Sequence, residues 1–184
     1  MGRRKNSKAK GNRFEIQVCR MLTDWWFPGE YDSKAKASEL PFRRAWGSGG
    51  WDKRGDPGDV KLITSLDFPF SVEAKNRQSW SFDALLKGNK NCELLKYWEQ
   101  TLEDASVNGL IPLLLFTRNY DKVYAAIPSA FAYHLNVVSP LFFPFVTIRV
   151  EVADGMTILL AEELMNVPRS IIERAVGKMM SRTA

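Results

Sequence analysis

Residues 59–75 read DVKLITSLDFPFSVEAK, and the fold turns on them. The turn Gly55, Asp56, Pro57, Gly58 delivers Asp59 onto the short run Val60 to Ile63, and Thr64 to Asp67 supply polar turn chemistry before Phe68. The pattern predicts a strand, a turn and a second strand. Side chains of a strand alternate, so Phe68, Phe70, Val72 and Ala74 share a core face while Ser71, Glu73 and Lys75 share the other. A hairpin pairing of the two strands brings Asp59 beside Glu73 and Lys75. Two acids and an amine in one small volume suit divalent-metal hydrolysis of a phosphodiester. A hard cation takes one or two carboxylates and keeps positions for water and phosphate, and a lysine orients the nucleophile or offsets developing charge. A solvated cross-strand ion pair is the plainer reading of the same residues.

The start of the chain bears on that choice. Arg3, Arg4, Lys5, Lys8, Lys10 and Arg13 fall before the first acid, Glu15, and read as a solvated basic arm; no apolar segment follows as in a signal peptide. From Asn12 the period becomes helical, with Phe14, Val18, Met21, Leu22 and Trp25 in one stripe widened by Cys19 and Trp26. Glu15 lies inside that stripe. A carboxylate turned toward a core needs a proton, a cation or a metal. Its partner is either an arginine, in a structural ion pair, or the same metal as Asp59 and Glu73.

Together, the basic start, the helix with an inward Glu15, the Ser-Gly loop, the Gly58-Asp59 step and Glu73-Ala74-Lys75 resemble the archaeal and phage-type Holliday junction resolvases of the PD-(D/E)XK nuclease superfamily. The likeness covers about Lys10 to Ser81. Arg43, Arg44, Ala45, Trp46, Gly47, Ser48, Gly49 and Gly50 resemble that family's Arg-x-x-x-Ser-Gly segment, although the loop through Trp51 is longer. The resemblance implies an α/β, restriction-endonuclease-like core, a mixed central sheet flanked by helices. It implies Mg²⁺, replaceable by Mn²⁺, held by Glu15, Asp59, Glu73 and the Ala74 carbonyl, with Lys75 assisting catalysis and Ser48 at the scissile phosphate. DNA contacts are expected from Arg3, Arg4, Lys5, Arg13, Arg43, Arg44, Ser48, Lys53, Arg54, Arg77 and Gln78. The implied activity is Mg²⁺-dependent cutting of branched double-stranded DNA, four-way junctions first, by a homodimer in the host cytoplasm. Two alternatives stay open: another nuclease of the superfamily, nicking, restriction-like or end-processing, and a catalytically inert DNA-binding module.

The chain as a whole agrees. Its 184 residues with 45% hydrophobic content can bury one real core, so residues 1–12 are read as a flexible arm and 13–184 as a single nuclease domain. A net charge of +5, concentrated in the arm and around Arg43 to Arg54, favours a polyanion. Apolar runs such as Leu110 to Phe116 are far short of the ~20 residues of a membrane span. No P-loop or Rossmann glycine pattern occurs, so no nucleotide cofactor is implied. Cys19 and Cys92 read as buried thiols of a reducing compartment, and His134 as structural. Downstream, a helix is expected over Asn91 to Val107, strands over Leu110 to Thr117, Val123 to Ile127 and Phe145 to Val152, and helices over Ala161 to Asn166 and Ser170 to Met180.

Overall fold

The structure, a computed structural model, describes residues 3–45, 58–64, 67–89, 91–140, 145–148 and 155–181. Helix α1 (Arg3–Trp26) leads into β1 (Phe42–Arg44), β2 (Val60–Leu62) and β3 (Phe70–Asn76). Two helices follow, α2 (Phe82–Leu86) and α3 (Glu93–Val107), then β4 (Ile111–Thr117) and β5 (Tyr124–Pro128). The rest is α4 (Ser129–Val138), β6 (Phe145–Ile148), β7 (Met156–Leu160), α5 (Ala161–Met165) and α6 (Arg169–Met180). One seven-stranded sheet runs β1-β2-β3-β4-β5-β7-β6. Only β3 and β4 are parallel, with Asn76 opposite Thr117, and the crossover between them is α2 and α3. The mixed sheet between helical layers is the architecture expected from the sequence.

Strand β4 shows why the sheet is covered on both faces. Its run IPLLLFT is buried throughout, Leu113 and Leu115 joining the cluster beneath α1, α4 and α6, Leu114 and Phe116 the cluster beneath α3. Full burial of each such side chain stabilises the fold by about 1.5–3 kcal/mol. The second face of β3 is covered as well: α3 packs on it, and Ser71 and Glu73 are only 1% and 2% exposed. A solvated cross-strand ion pair is therefore excluded.

Helix α1 begins at Arg3, ahead of the Asn12 start read from periodicity, so the backbone of the basic segment is helical. Lys, Arg and Ala are good helix formers and need no apolar stripe to propagate a helix already nucleated by packing. Its far end is pinned by a run of edge-to-face aromatic contacts, Trp25 with Trp26 and Trp26 with Phe68, and by the Trp25 indole N–H donating to the Val167 carbonyl at 2.8 Å. That anchorage sets the register of Glu15, about three turns of helix before the tryptophans. Strand β6 falls within the expected strand Phe145 to Val152 and pairs antiparallel with β7, Val146 opposite Ile158; residues 149–154 lie outside the described residues.

The entry to β2 is the tightest point near the site. Gly58 has φ +73, bridges Val72, and has no room for a side chain: an added Cβ would lie 2.2 Å from the Val72 carbonyl oxygen. Asp59 N–H then donates to that same oxygen at 2.7 Å, and Val60 pairs with Val72. Gly58→Ala is expected to cost roughly 2 kcal/mol or more, because left-handed strain and a backbone clash add. Gly29 has φ +78 with nothing within 4 Å, so Gly29→Ala isolates the strain alone, about 1 kcal/mol. Urea melts of the two variants check this, and equal losses would contradict the close-approach argument.

Candidate functional site

The site forms where β2 begins and β3 ends. Because Asp59 N–H is tied to Val72 O, the Asp59 carboxylate is carried two residues along β3 and accepts from Ala74 N–H at 3.1 Å. It replaces a strand partner that the short β2 does not extend to provide. In a strand the N–H and C=O of one residue face the same neighbour, so the Ala74 carbonyl faces this edge too. From the α3 side of the sheet, Lys75 Nζ hydrogen-bonds Glu73 Oε1 and stands 4.0 Å from Asp59 Oδ2. The convergence of Asp59, Glu73 and Lys75 is therefore real, and it is buried: Asp59 is 9% exposed and Glu73 2%.

Burial governs the electrostatics. Desolvation pushes Glu73 up to about 7, the Asp59 charge adding to it and Lys75 opposing it. Asp59 is also raised, by desolvation first, against the pull of Lys75 and the Ala74 N–H. Two buried carboxylates share one ammonium, so one of them keeps a proton near neutral pH unless a further cation arrives. Two carboxylate groups and a carbonyl are oxygen donors of the kind hard divalent cations take. The residues present fit such an ion.

Glu15 is inward and buried, as its place in the stripe predicts, but it is held by Arg44 Nε, while Arg44 Nη2 donates to Asn12 Oδ1 at 3.0 Å. This corrects the expected convergence of three acids. Among the described residues no three acid, histidine or cysteine side chains are grouped to hold a metal ion. The ion pair nonetheless lies at the site. Arg44 is opposite Val60 in register, and the Glu15 charge contributes to the rise of Asp59.

The expected DNA contacts divide. Arg43 is exposed, yet its guanidinium donates to the carbonyls of Ser38 at 2.5 Å and Leu40 at 3.4 Å, bracing the loop before β1. Arg44 serves Glu15. Arg13, Arg77 and Gln78 are exposed. With its amide oriented to satisfy its neighbours, Gln78 accepts from Asn119 N–H at 2.6 Å and from Lys10 Nζ at 3.0 Å, which gathers Lys10, Arg77 and Gln78 at the same end of the sheet. Ser48, Lys53 and Arg54 lie outside the described residues, as do the side chains of Arg3, Arg4 and Lys5.

Sequence reasoning missed Tyr97. Its ring lies 5.9 Å from Lys75 Nζ, and its hydroxyl donates to Glu93 Oε2 at 2.8 Å, an acid that also accepts from Ser79 Oγ. A ring at that distance attracts an ammonium. The only available signal was the i, i+4, i+7 spacing of Tyr97, Thr101 and Asp104, a polar line along a helix whose apolar stripe drew the eye; Thr101 is fully buried. Cys19 and Cys92 are buried and unbridged, the Cys19 thiol pushed up to about 12 by burial, and His134 is buried on α4. None of the three belongs to the site.

The family model described as "Phage putative PDDEXK endonuclease" matches residues 6–173, and the chain belongs to that family. Its sheet and flanking helices are those of a restriction-endonuclease-like core, and its family is one of PD-(D/E)XK nucleases, enzymes that generally use divalent metal ions. No curated protein and no solved structure matches the chain. Among the described residues no helix is long and apolar enough to cross a membrane.

A pH signature follows from Glu73. The unfolded chain releases this proton near 4.5 and the folded chain near 7, so folding takes up a proton in between and stability falls as pH rises through that window. In metal-free protein the loss is on the order of 2 to 3 kcal/mol. Urea melts in EDTA at about pH 5 and 8 should show it in wild type and much less of it in Glu73→Gln. An unchanged slope in the variant would mean that Glu73 is not the group being desolvated.

Proposed function

We propose that this nuclease is a Mg²⁺-dependent endonuclease that hydrolyses phosphodiesters in branched DNA, with four-way junctions as its principal substrate. The observation that supports catalysis most strongly is the buried meeting of Asp59, Glu73 and Lys75, an arrangement with no structural economy to recommend it. Such a pair of acids is retained at a cost in folding and makes chemical sense when a cation joins it. Asp59, Glu73 and the Ala74 carbonyl would hold the ion, with Glu15 as an outer acid kept aligned by Arg44. When bound, Mg²⁺, or Mn²⁺ in its place, polarises the scissile phosphate and lowers the pKa of a bound water. Lys75, as an ammonium, orients the attacking water and offsets the charge that develops on the phosphate, steadied by the Tyr97 ring. Ala45 N–H is held on the Asp59 carbonyl at 2.8 Å and Gly58 bridges Val72, both beside the acids; the roles of Ser48, Lys53 and Arg54 at the phosphate backbone rest on the resemblance to the resolvases.

The junction preference rests on the resemblance of Lys10 to Ser81 to the resolvases, and it carries two further proposals. Symmetric resolution needs two active sites, hence a homodimer, and a phage enzyme of this kind acts in the host cytoplasm. Cutting assays on four-way, flapped and linear duplex DNA test the reading. Paired symmetric incisions at the junction are expected, with Asp59→Ala slower by roughly a hundredfold or more but still able to bind. Equal cutting of linear duplex would replace the substrate with a general one, and binding without any cutting would make the chain an inert DNA-binding module.

A further inference from the structure

The turn between β4 and β5 carries a feature that the catalytic chemistry does not use. Tyr120 is fully exposed, at 107% of its reference surface, and has φ +61, a backbone conformation that costs tyrosine what it would not cost glycine or asparagine. Loose turns relax such strain, but this one is heavily braced. The Thr117 hydroxyl reaches the carbonyls of Arg118 at 3.1 Å and Lys122 at 2.9 Å. Asp121 accepts from Arg118 Nε at 2.7 Å, Lys122 N–H at 2.9 Å and Tyr124 Oη at 3.2 Å, and the Arg118 guanidinium lies over the Trp80 ring. A rigid mount thus holds an aromatic ring out in solvent.

Its position gives the mount a use. Because β3 and β4 are parallel and Asn76 faces Thr117, the turn starts where the Lys75 strand ends. The chain leaving Lys75 is stitched to it, Arg77 N–H on the Thr117 carbonyl at 3.1 Å and Gln78 on Asn119. From that register the ring lies roughly 10–15 Å from Lys75, about three or four base steps of 3.4 Å along a strand. Cations flank it. Lys10 and Arg77 gather at Gln78 beside the turn, and Lys122 within it makes an exposed pair with Glu162 at 3.1 Å, which exchanges for a phosphate at little cost.

We infer that the β4–β5 turn is a DNA-contacting element in which Tyr120 stacks on an unpaired or unstacked base close to the scissile phosphate. The inference rests on the reading of this chain as a nuclease of branched DNA and adds to it a residue that tells a branch point from continuous duplex. Stacking needs only the ring face, is tolerant of base identity, and is available where bases are splayed out of the helix. A continuous duplex offers no such face.

The test uses the full chain in EDTA, so that no strand is cut, with a four-way junction carrying 2-aminopurine at the branch point. Wild type should quench the fluorophore on binding. Tyr120→Phe should do the same, whereas Tyr120→Asn should bind the junction roughly five- to a hundredfold more weakly and leave it bright. Asparagine tolerates the left-handed conformation, so Tyr120→Asn should melt at or above the wild-type temperature, which separates lost stacking from lost folding. Affinity for a continuous duplex should be nearly unchanged. If Tyr120→Asn binds and quenches like wild type, the role of Tyr120 is overturned while the nuclease reading stands. If wild type itself does not bind the junction, the branched-substrate reading falls and takes this inference with it.

Discussion

One lysine shares a buried volume with two carboxylates, and the rest of the structure is arranged so that it can. Neither acid is comfortable there: desolvation lifts both Asp59 and Glu73, the Asp59 charge lifts Glu73 further, and the Lys75 ammonium offsets only part of the cost. A chain selected for stability alone would have filled this space with apolar side chains. What keeps the acids in place is geometry imposed by the backbone, with Gly58 lying against Val72 and Asp59 completing the edge of β3 through the Ala74 N–H.

That geometry makes one end of the sheet the working end. The ends of β1 and β3 and the start of β2 meet there, as do the β4–β5 turn and Lys10 of α1. Positive charge collects at the same end while the opposite faces are closed by two apolar clusters. The helical layers therefore have distinct tasks. α1 brings Glu15 and Asn12 to Arg44, and α3 turns Tyr97 toward Lys75 while covering the strand that carries Glu73.

Much of this was legible in residues 59–75 and in the first helix, because period-two and period-3.6 patterns are local. The alternation of Phe70, Val72 and Ala74 against Glu73 and Lys75 placed the site, and the all-apolar run of β4 announced a central strand. Glu15 was legible as an acid in need of a partner, and of the two partners considered for it the arginine is present, as Arg44. What could not be read was tertiary. That α3 would cover the Glu73 face, that Arg44 would be spent on Glu15 and Arg43 on loop carbonyls, and that a glycine would be sterically obligatory all depend on what packs against what. Tyr97 escaped because its short polar line was outweighed by the apolar stripe of the same helix, and Tyr120 because a single aromatic at a turn tip belongs to no period.

The central claim is that Asp59 and Glu73 are an oxygen-donor pair awaiting a divalent cation, and direct metal binding tests it without reference to any substrate. Mn²⁺ titrated into the metal-free protein, with free ion followed by electron paramagnetic resonance, should fill a saturable site in wild type that is lost in the Asp59→Asn, Glu73→Gln double variant. Free Mn²⁺ that is undiminished by wild type, or diminished equally by the double variant, would contradict it.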